Sequence, residues 1–400
     1  MKSLKQCMYA TVVLAMFACH LTAEESQGDR FRFSVNTRAD YTDNRDTWEA
    51  DEDSNVDLTI SPRADMLFES ESSLFDLFYA PRFRYRTNPS DLQNDVELQH
   101  DFGVTAKHRP SRRTALRFRD SFVLTDDPSI SEDGGTVRGD QSYMLNSLRA
   151  GIDHMMTHRN EIEIYGNHRI KRYDEDTMAL RWDEDRADVG SRFVRHLSKQ
   201  SRLTLEGRYS SYGYESPDAI MRDFNSVLLA VGTERGLSKN LTVGAEVGAQ
   251  KQSYEDDDID DSTNPFVELF MRGNTTPDFR LYGALKHAVR DADVYPFASQ
   301  EYSQFRGVID WDTSPKTTLT LSGTYRLSKY EDVAPSAVPL VALIGLPDGD
   351  QTTIDVYGQV AYKVSDQLTV LLRQRFQDVD SDVWVSYTKN TTTLELTKYF

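Results

Sequence analysis

Cysteine is almost absent from this chain. Its 400 residues include two cysteines, Cys7 and Cys19, and both lie in the first 23 positions. Residues 1–23 have the basic start, the short apolar core and the small residues of a secretory signal peptide, with expected cleavage after Ala23. Residues 24–400 would then form one domain without any disulfide bond, so other interactions must hold a secreted protein of this size together.

Cys19 permits a second interpretation of the same segment. Residues 16–19 could be a lipoprotein processing site, with Cys19 as the residue that receives the lipid. Met16 and Phe17 fit such a site badly, so we favour the signal peptide.

Long apolar runs are absent as well. Beyond residue 23 no run approaches the roughly 18 apolar residues that a membrane-spanning helix needs, and the overall hydropathy is low. These features exclude a helical membrane protein. They do not exclude a transmembrane β-barrel, because the wall of a barrel is apolar on one face only.

Positive charge is the third shortage. The chain has 46 Lys and Arg against 64 Asp and Glu, and removal of Lys2 and Lys5 with the signal segment leaves a net charge of about −20. This balance argues against binding of nucleic acid or of an anionic membrane surface as the main role.

Alternation of apolar and polar residues, by contrast, runs through the chain from residue 30 onward. In the second alternating segment, Val56, Leu58 and Ile60 fall on one face of a strand, and Asp57 and Thr59 fall on the other. We count 18 such segments, although 16 to 20 are compatible with the pattern because the alternation is broken at the start of the eighth. Strands with two such different faces need an apolar medium on one side and water on the other.

The connections between these segments are of two kinds. Tight turns of three to six residues precede the odd-numbered segments and repeat a similar sequence, as in 198–207, 238–244 and 314–323. The opposite connections run from eight to 21 residues, except for a short last one. A β-propeller has a repeat of similar length, but it has no reason to sort its connections in this way. One tight end and one long end are typical of an outer-membrane up-and-down β-barrel.

Charge is sorted between the same two ends. The eight long connections are 42–54, 88–95, 125–141, 174–186, 215–223, 255–264, 291–300 and 331–351. Together they contain 34 Asp and Glu against 5 Lys and Arg, which leaves the predicted wall and tight turns at about +9. We therefore expect an acidic rim on a mildly basic wall.

The final stretch, 393–400, places Leu394, Leu396 and Phe400 on one face. Such a strand would leave a sticky edge in a soluble protein, whereas a closed barrel pairs that edge. The signal peptide, the tandem hairpins and the closing run 387–400 together resemble the "putative beta-barrel porin" family of Gram-negative outer-membrane proteins. The resemblance implies a channel in the outer membrane and no catalytic residues. It also implies that Leu394, Leu396 and Phe400 form the signal that the barrel-assembly machinery recognises.

The predicted inward faces carry charge of both signs. Opposite charges on neighbouring strands stabilise the pairing by a few tenths to about 1 kcal/mol each. In a water-filled lumen the same charges would select solutes, although a wall that is only self-paired explains the pattern equally well. The predicted pore lining consists of Arg82, Arg84, Arg86, Glu97, Asp101, Arg117, Arg119, Glu161, Glu163, Arg169, Arg373 and Arg375.

Three polar residues fall on the face that should meet lipid. Asp120, His100 and His168 would each cost on the order of 2 kcal/mol in the middle of a bilayer and almost nothing at its surface. We expect a β-bulge at these points, or a position level with the membrane surface.

Two long connections suggest roles of their own. The apolar core of 331–351, at 338–346, should avoid water, so we expect this loop to fold into the mouth and narrow it. Packing on a neighbouring barrel, or a mobile loop, are the alternatives.

The acidic run 255–261 offers oxygen ligands for a hard cation but lacks the spacing of a calcium loop, so a solvated loop is favoured. Divalent cations could still bridge the acidic rim to lipopolysaccharide phosphates.

Enzymatic chemistry finds little support. A nucleophile and a base need to meet in an accessible site, and no histidine faces the predicted lumen in mid-strand, which leaves only a carboxylate site at the rim. We expect no catalytic residue, cofactor or resident metal.

The sequence predicts an all-β outer-membrane barrel of about 18 strands that lets small hydrophilic solutes diffuse passively. Its expected partners are outer-membrane lipid, lipopolysaccharide and the assembly machinery. A non-channel barrel for surface interaction or polysaccharide export is the alternative.

Overall fold

The chain forms a closed antiparallel β-barrel of 18 strands, each hydrogen-bonded to the next, with β1 also paired to β18. A computed structural model describes residues 30–45, 47, 53–89, 95–125, 142–174, 183–214, 223–255, 259–294, 297–333, 349–383 and 385–400. The strands are β1 (Arg30–Thr42), β2 (Asn55–Glu69), β3 (Ser73–Arg86), β4 (Val96–Ser111), β5 (Thr114–Thr125), β6 (Tyr143–Met155), β7 (Asn160–Tyr173), β8 (Glu184–His196), β9 (Ser201–Tyr214), β10 (Phe224–Gly236), β11 (Leu241–Tyr254), β12 (Ser262–Thr276), β13 (Phe279–Asp291), β14 (Phe297–Ser314), β15 (Thr317–Val333), β16 (Gly349–Ser365), β17 (Leu368–Ser381) and β18 (Tyr387–Tyr399). The predicted fold class and strand number are confirmed.

The barrel closes where its first and last strands meet. Asn36 lies opposite Thr397, and its side-chain amide donates a hydrogen bond of 3.0 Å to the threonine hydroxyl. The Phe400 amide donates to the Phe33 carbonyl at 2.9 Å, and the two phenyl rings lie 5.6 Å apart. Leu394, Leu396 and Phe400 are exposed on the outer face. Their role in assembly stays a prediction.

The two faces of the wall explain why the sequence alternates. In β9, Leu203 and Leu205 are exposed on the outside, whereas Thr204, Glu206 and Ser210 on the inside are buried. This is the reverse of a soluble protein, in which apolar side chains are covered and polar side chains meet water. Apolar side chains on the outside suit contact with lipid.

Serine explains the sequence repeated at the tight turns. The hydroxyl oxygens of Ser198, Ser238, Ser314 and Ser365 each accept a hydrogen bond from the backbone N–H two residues later, at 3.1 to 3.3 Å. A serine in this position closes the turn with its own side chain. The recurrence of serine is therefore a local folding signal.

The expected bulges on the outer face are not found. The ladder passes through His100, Asp120 and His168 without a shift of register, and the shifts among the described strands lie next to tight turns. Each residue has a polar neighbour instead. His100 Nδ1 lies 2.9 Å from the Tyr79 hydroxyl, Asp120 accepts from Asn146 at 2.8 Å, and His168 Nε2 lies 2.8 Å from a carboxylate oxygen of Asp185.

The connection that was predicted to be the longest, between β15 and β16, is shorter than predicted. Strand β15 continues to Val333 and β16 begins at Gly349, so the connection covers 334–348 instead of 331–351. The ladder continues here because Tyr330 pairs with Gly349. The apolar core at 338–346 lies outside the described residues. None of the described residues forms a helix long and apolar enough to cross a bilayer.

Candidate functional site

Charge pairs cover the inner face of β2, β3 and β4. Arg82 donates to Asp101 at 2.9 Å and Arg86 donates to Glu97 at 2.9 Å, while Arg84 lies 3.9 Å from Asp57. Because the side chains of Arg84 and Arg86 are only 3% exposed, their main contribution is to the wall itself. The cross-strand pairing predicted from the sequence is found here.

The inner face of β16 and β17 is paired in a similar way. Arg375 donates to Asp355 at 2.7 Å, and Arg373 donates to the Gln359 side chain at 2.6 Å. These four residues join β16 to β17 on the inner face. Their contact with a solute stays a prediction.

Two predicted lining residues of β7 meet neighbours on β8. Glu161 lies 3.7 Å from His196, and Arg169 lies opposite Arg186 in the ladder. The predicted lining residues therefore lie on β3, β4, β5, β7 and β17 and do not form one cluster.

A cavity of about 570 Å³ lies against the inner face of β4–β9. Arg117 reaches it and pairs with Asp153 at 2.6 Å and with Glu163. Across the cavity, Tyr165 donates to Glu206 at 2.7 Å, a carboxylate that also pairs with Arg192. These groups hold one another in place.

Three arginines in the same cavity have no such partner. Arg119, Arg149 and Arg208 line it, and among the described residues none of their guanidinium groups forms a hydrogen bond or an ion pair. Arg119 and Arg149 lie directly opposite each other on β5 and β6. Arg119 belongs to the predicted lining, whereas Arg149 and Arg208 were missed, although their place in the alternation puts them on the inner face too.

Acidic residues occupy the next part of the inner face. Glu246 on β11 lies opposite Glu268 on β12. Glu234 on β10 pairs with Arg202 at 2.7 Å and with Arg272 at 3.1 Å. The interior is therefore basic along β5–β6 and acidic along β10–β12, which produces an electric field across the lumen.

The end of β13 reaches across the barrel. The Tyr214 hydroxyl on β9 donates to Asp291 at 3.0 Å, although three strands separate β9 from β13 in the wall. Asp291 also accepts from Arg290 at 3.2 Å and interacts electrostatically with Lys171 on β7. These contacts pass through the interior and narrow it at the end with long connections.

The residues after Asp291 pack against the neighbouring strands β14 and β15 and the connection that follows β17. Ala292, Val294, Phe297 and Tyr330 form a buried apolar cluster with Val383. The Tyr330 hydroxyl donates to Asp293 at 2.6 Å. The loop predicted to narrow the mouth, 331–351, has its apolar core outside the described residues, so that prediction is not tested. The narrowing by Asp291 and the residues after it was not predicted from the sequence.

The acidic run 255–261 is described only in part, because 256–258 lie outside the described residues. Asp261 accepts hydrogen bonds from Lys251 at 2.9 Å and Ser253 at 3.1 Å, and the bond from Lys251 is the main cause that lowers its pKa from the ordinary aspartate value. Asp261 is thus already neutralised by a lysine. Within the described ranges, no three His, Cys, Asp or Glu side chains come together as a metal site.

A closed barrel with an apolar outer face, a charged interior and a narrowed mouth belongs to the class of outer-membrane barrels with an aqueous interior. The family described as "putative beta-barrel porin 2" matches residues 31–400, and the chain belongs to that family. The protein is accordingly a porin-like channel of the outer membrane, and its family is one of channels and not of enzymes. No curated protein sequence matches it.

Solved porin structures show a similar fold. OpdK of Pseudomonas aeruginosa, solved with vanillate, is 12% identical over 92% of this chain and 99% of its own, with a TM-score of 0.50. OccK9 (OpdG) of the same organism is 13% identical over 92% of this chain and 98% of its own, with a TM-score of 0.49. OccAB4 of Acinetobacter baumannii is 9% identical over 94% and 100%, also with a TM-score of 0.49.

Proposed function

We propose that this channel lets small hydrophilic solutes diffuse passively and that it conducts anions more readily than cations. The observation that carries the proposal is the set of three arginines in the inner cavity that have no described acceptor, Arg119, Arg149 and Arg208. A guanidinium without a partner keeps its full charge for a passing solute, whereas the paired arginines of β3 are neutralised by their carboxylates.

The acidic groups reduce this preference without cancelling it. Glu206 and Glu234 are each engaged by an arginine, so their charge is largely compensated within the wall. The acidic rim predicted from the sequence opposes the entry of anions, but charges in water are screened over about 10 Å at 0.1 M salt. The arginines inside the cavity therefore dominate the selectivity.

Small organic carboxylates are the first solutes to test. Vanillate, with which OpdK was solved, is a molecule of this kind. The likeness between the two proteins is one of fold, so the choice rests on the arginines of this chain.

The route to the membrane is a further part of the proposal. We infer that residues 1–23 are cleaved as a signal peptide in a Gram-negative cell, and that Leu394, Leu396 and Phe400 are read by the barrel-assembly machinery. Lipopolysaccharide is the expected neighbour, bridged to the acidic rim by divalent cations. A lower melting temperature after chelation in lipopolysaccharide-containing membranes is the expected result, and an unchanged one would exclude the bridge.

Conductance in a planar bilayer tests the channel directly. The purified protein should produce stepwise, ohmic conductance, and a KCl gradient should give a reversal potential of the sign for anions. Absence of conductance would favour the surface-interaction or polysaccharide-export barrel. A reversal potential of the cation sign would remove the anion preference but leave the channel. Deletion of 336–346 should raise the conductance if that loop also narrows the mouth.

A further inference from the structure

One arginine of the barrel is completely covered and yet makes no hydrogen bond. Arg326 lies on the inner face of β15 with 0% of its surface exposed. Among the residues that the structure describes, its Nε, Nη1 and Nη2 atoms all lack a hydrogen-bond acceptor. A guanidinium has five N–H donors, and here none of them is used.

The groups around Arg326 are buried and polar. Its neighbours across the ladder are Gln304 on β14 and Thr353 on β16. Gln304 has a side-chain oxygen without a partner. The Thr353 hydroxyl oxygen accepts from Gln351 at 3.2 Å, which leaves its own hydrogen available for another acceptor. Three buried polar side chains therefore lie next to one another on the inner face, and the donors of Arg326 and the side-chain oxygen of Gln304 are unused among the described residues.

The nearby carboxylates are already engaged. Asp293 interacts electrostatically with Arg326 but accepts its hydrogen bond from Tyr330, at 2.6 Å. Asp291 accepts from Arg290 and Tyr214. Arg290 adds a second positive charge close to Arg326. Neither aspartate supplies the missing acceptor.

A buried, uncompensated guanidinium is costly, because the loss of its hydration is not repaid by a partner. A bound anion would remove that cost by accepting several N–H groups at once. Gln304 suits such a ligand too, since the oxygen and nitrogen of its amide can exchange places and present the NH₂ group. The Thr353 hydroxyl can donate from the other side.

We propose that Arg326, Gln304 and Thr353 hold a small inorganic anion, such as chloride, inside the wall next to the narrowed mouth. The anion is resident and not transported, because Arg326 has no surface exposed to the lumen. The site is separate from the cavity of Arg119 and Arg149, so it does not depend on the proposed solute preference.

Thermal unfolding of the purified barrel in detergent tests this site. Chloride is exchanged for gluconate at constant ionic strength, and the melting temperature is measured across the series. A ligand that binds only the folded state raises this temperature by a steady increment for each tenfold rise in concentration above its dissociation constant. We expect that rise for the natural protein and none for Arg326→Met. Equal melting temperatures in chloride and gluconate would overturn the proposal.

Arg119→Met is the matched control. This substitution removes an exposed arginine from the same lumen, so the melting temperature should still depend on chloride. If that dependence were lost in Arg119→Met, it would be a general effect of charge, which would count against the site. Diffraction from crystals of the natural protein soaked in bromide gives a second measurement if Arg326→Met does not fold. An anomalous peak beside the Arg326 guanidinium is expected. Water alone at that position, or a halide on surface residues only, would refute it.

Discussion

Arginine serves two purposes in this barrel, and burial separates them. Arg84 and Arg86 are covered and face carboxylates, so removal of one would leave a partly buried carboxylate without its arginine, which is destabilising. Arg119 and Arg149 are exposed to the cavity and have no described partner. Replacement of either arginine should change the ratio of anion to cation permeability and leave the fold intact.

Arg149→Gln should lower the anion selectivity. Two unit charges 4 Å apart in water interact with about 1 kcal/mol, and a wider pore weakens that, so we expect the ratio of chloride to potassium permeability to fall roughly twofold. The reversal potential in a KCl gradient measures it. Arg112→Gln, at an exposed tight turn, is the control and should change nothing. An unaltered reversal potential in Arg149→Gln would show that this cavity arginine does not contribute to the anion selectivity.

Gly190→Ala should disturb the same cavity through Tyr165, which lies directly opposite Gly190 on the neighbouring strand. A Cβ added at Gly190 would lie 2.3 Å from a ring atom of Tyr165, so the ring must move and its bond to Glu206 must break. The expected loss is about 1 kcal/mol in the free energy of unfolding, together with altered conductance. Gly358→Ala is the matched control, because its added Cβ meets no atom within 4 Å. Equal melting temperatures of the two variants would show that Tyr165 adapts freely.

At the scale of an element, the end of β13 differs from a regular barrel strand because it contacts a strand that is not its neighbour in the wall. The bond from Tyr214 to Asp291 joins residues 77 positions apart and draws the strand end toward β9. Tyr214→Phe removes only the hydroxyl. We expect a higher single-channel conductance and a loss of about 1 kcal/mol in the free energy of unfolding.

Tyr209→Phe is the control for this change. The Tyr209 hydroxyl donates to Asn225 on the outer face of β9 and β10, so its loss affects the wall but not the mouth. The conductance of Tyr209→Phe should equal that of the natural protein. If Tyr214→Phe also left it unchanged, the contact with Asp291 would not limit the flow of ions.

The strands and tight turns were predictable because their signals are local. Alternation in β9 and serine at Ser198 or Ser238 act within a few residues, and each appears in the sequence where the structure uses it. Cross-strand pairs such as Arg86 and Glu97 follow once the register is known. Once the strands were predicted, the alternation also predicted which side chains face inward.

The mouth was not predictable, because its contacts join distant parts of the chain. Nothing local distinguishes Asp291, which crosses the lumen, from the many aspartates of the other long connections. Arg326 looked like any inward arginine, and only its complete burial without a partner sets it apart. Such properties depend on which segments fill the interior, and alternation carries no information about that.

On the scale of the whole molecule, outward polar pairs indicate how the barrel sits in a bilayer. On β4, His100 meets the Tyr79 hydroxyl toward the end with long connections, and His108 meets the Ser73 hydroxyl at 2.8 Å toward the tight turns. Eight residues separate the two histidines, which is roughly 21 Å along the barrel axis for a rise of about 3.4 Å and a tilt near 40°. This is close to the apolar band of about 25 Å in such barrels, so the spacing of these two histidines fits the two edges of that band. Asp120 lies opposite Val104, midway between them, where Asn146 donates to it.

Closure of the cylinder can be tested with one covalent bond. Residues 30–400 contain no cysteine, and Asn36 and Thr397 face each other across the seam between β1 and β18. Asn36→Cys combined with Thr397→Cys should form a disulfide on oxidation, because the two side chains are already within 3.0 Å of each other. The link closes a loop of about 360 residues and should stabilise the barrel by roughly 6 kcal/mol in the chain-entropy description.

The readout is the melting temperature with and without reductant, together with a count of free thiols. Asn36→Cys with Thr320→Cys is the control, since Thr320 lies on β15 and cannot reach the seam; its thiols should stay free. A seam pair that also kept both thiols free under the same oxidant would mean that β1 and β18 do not meet. An open sheet could not keep its interior sealed from lipid, because the unpaired edges would expose backbone groups to hydrocarbon. Ionic selectivity by the inner arginines therefore requires this seam.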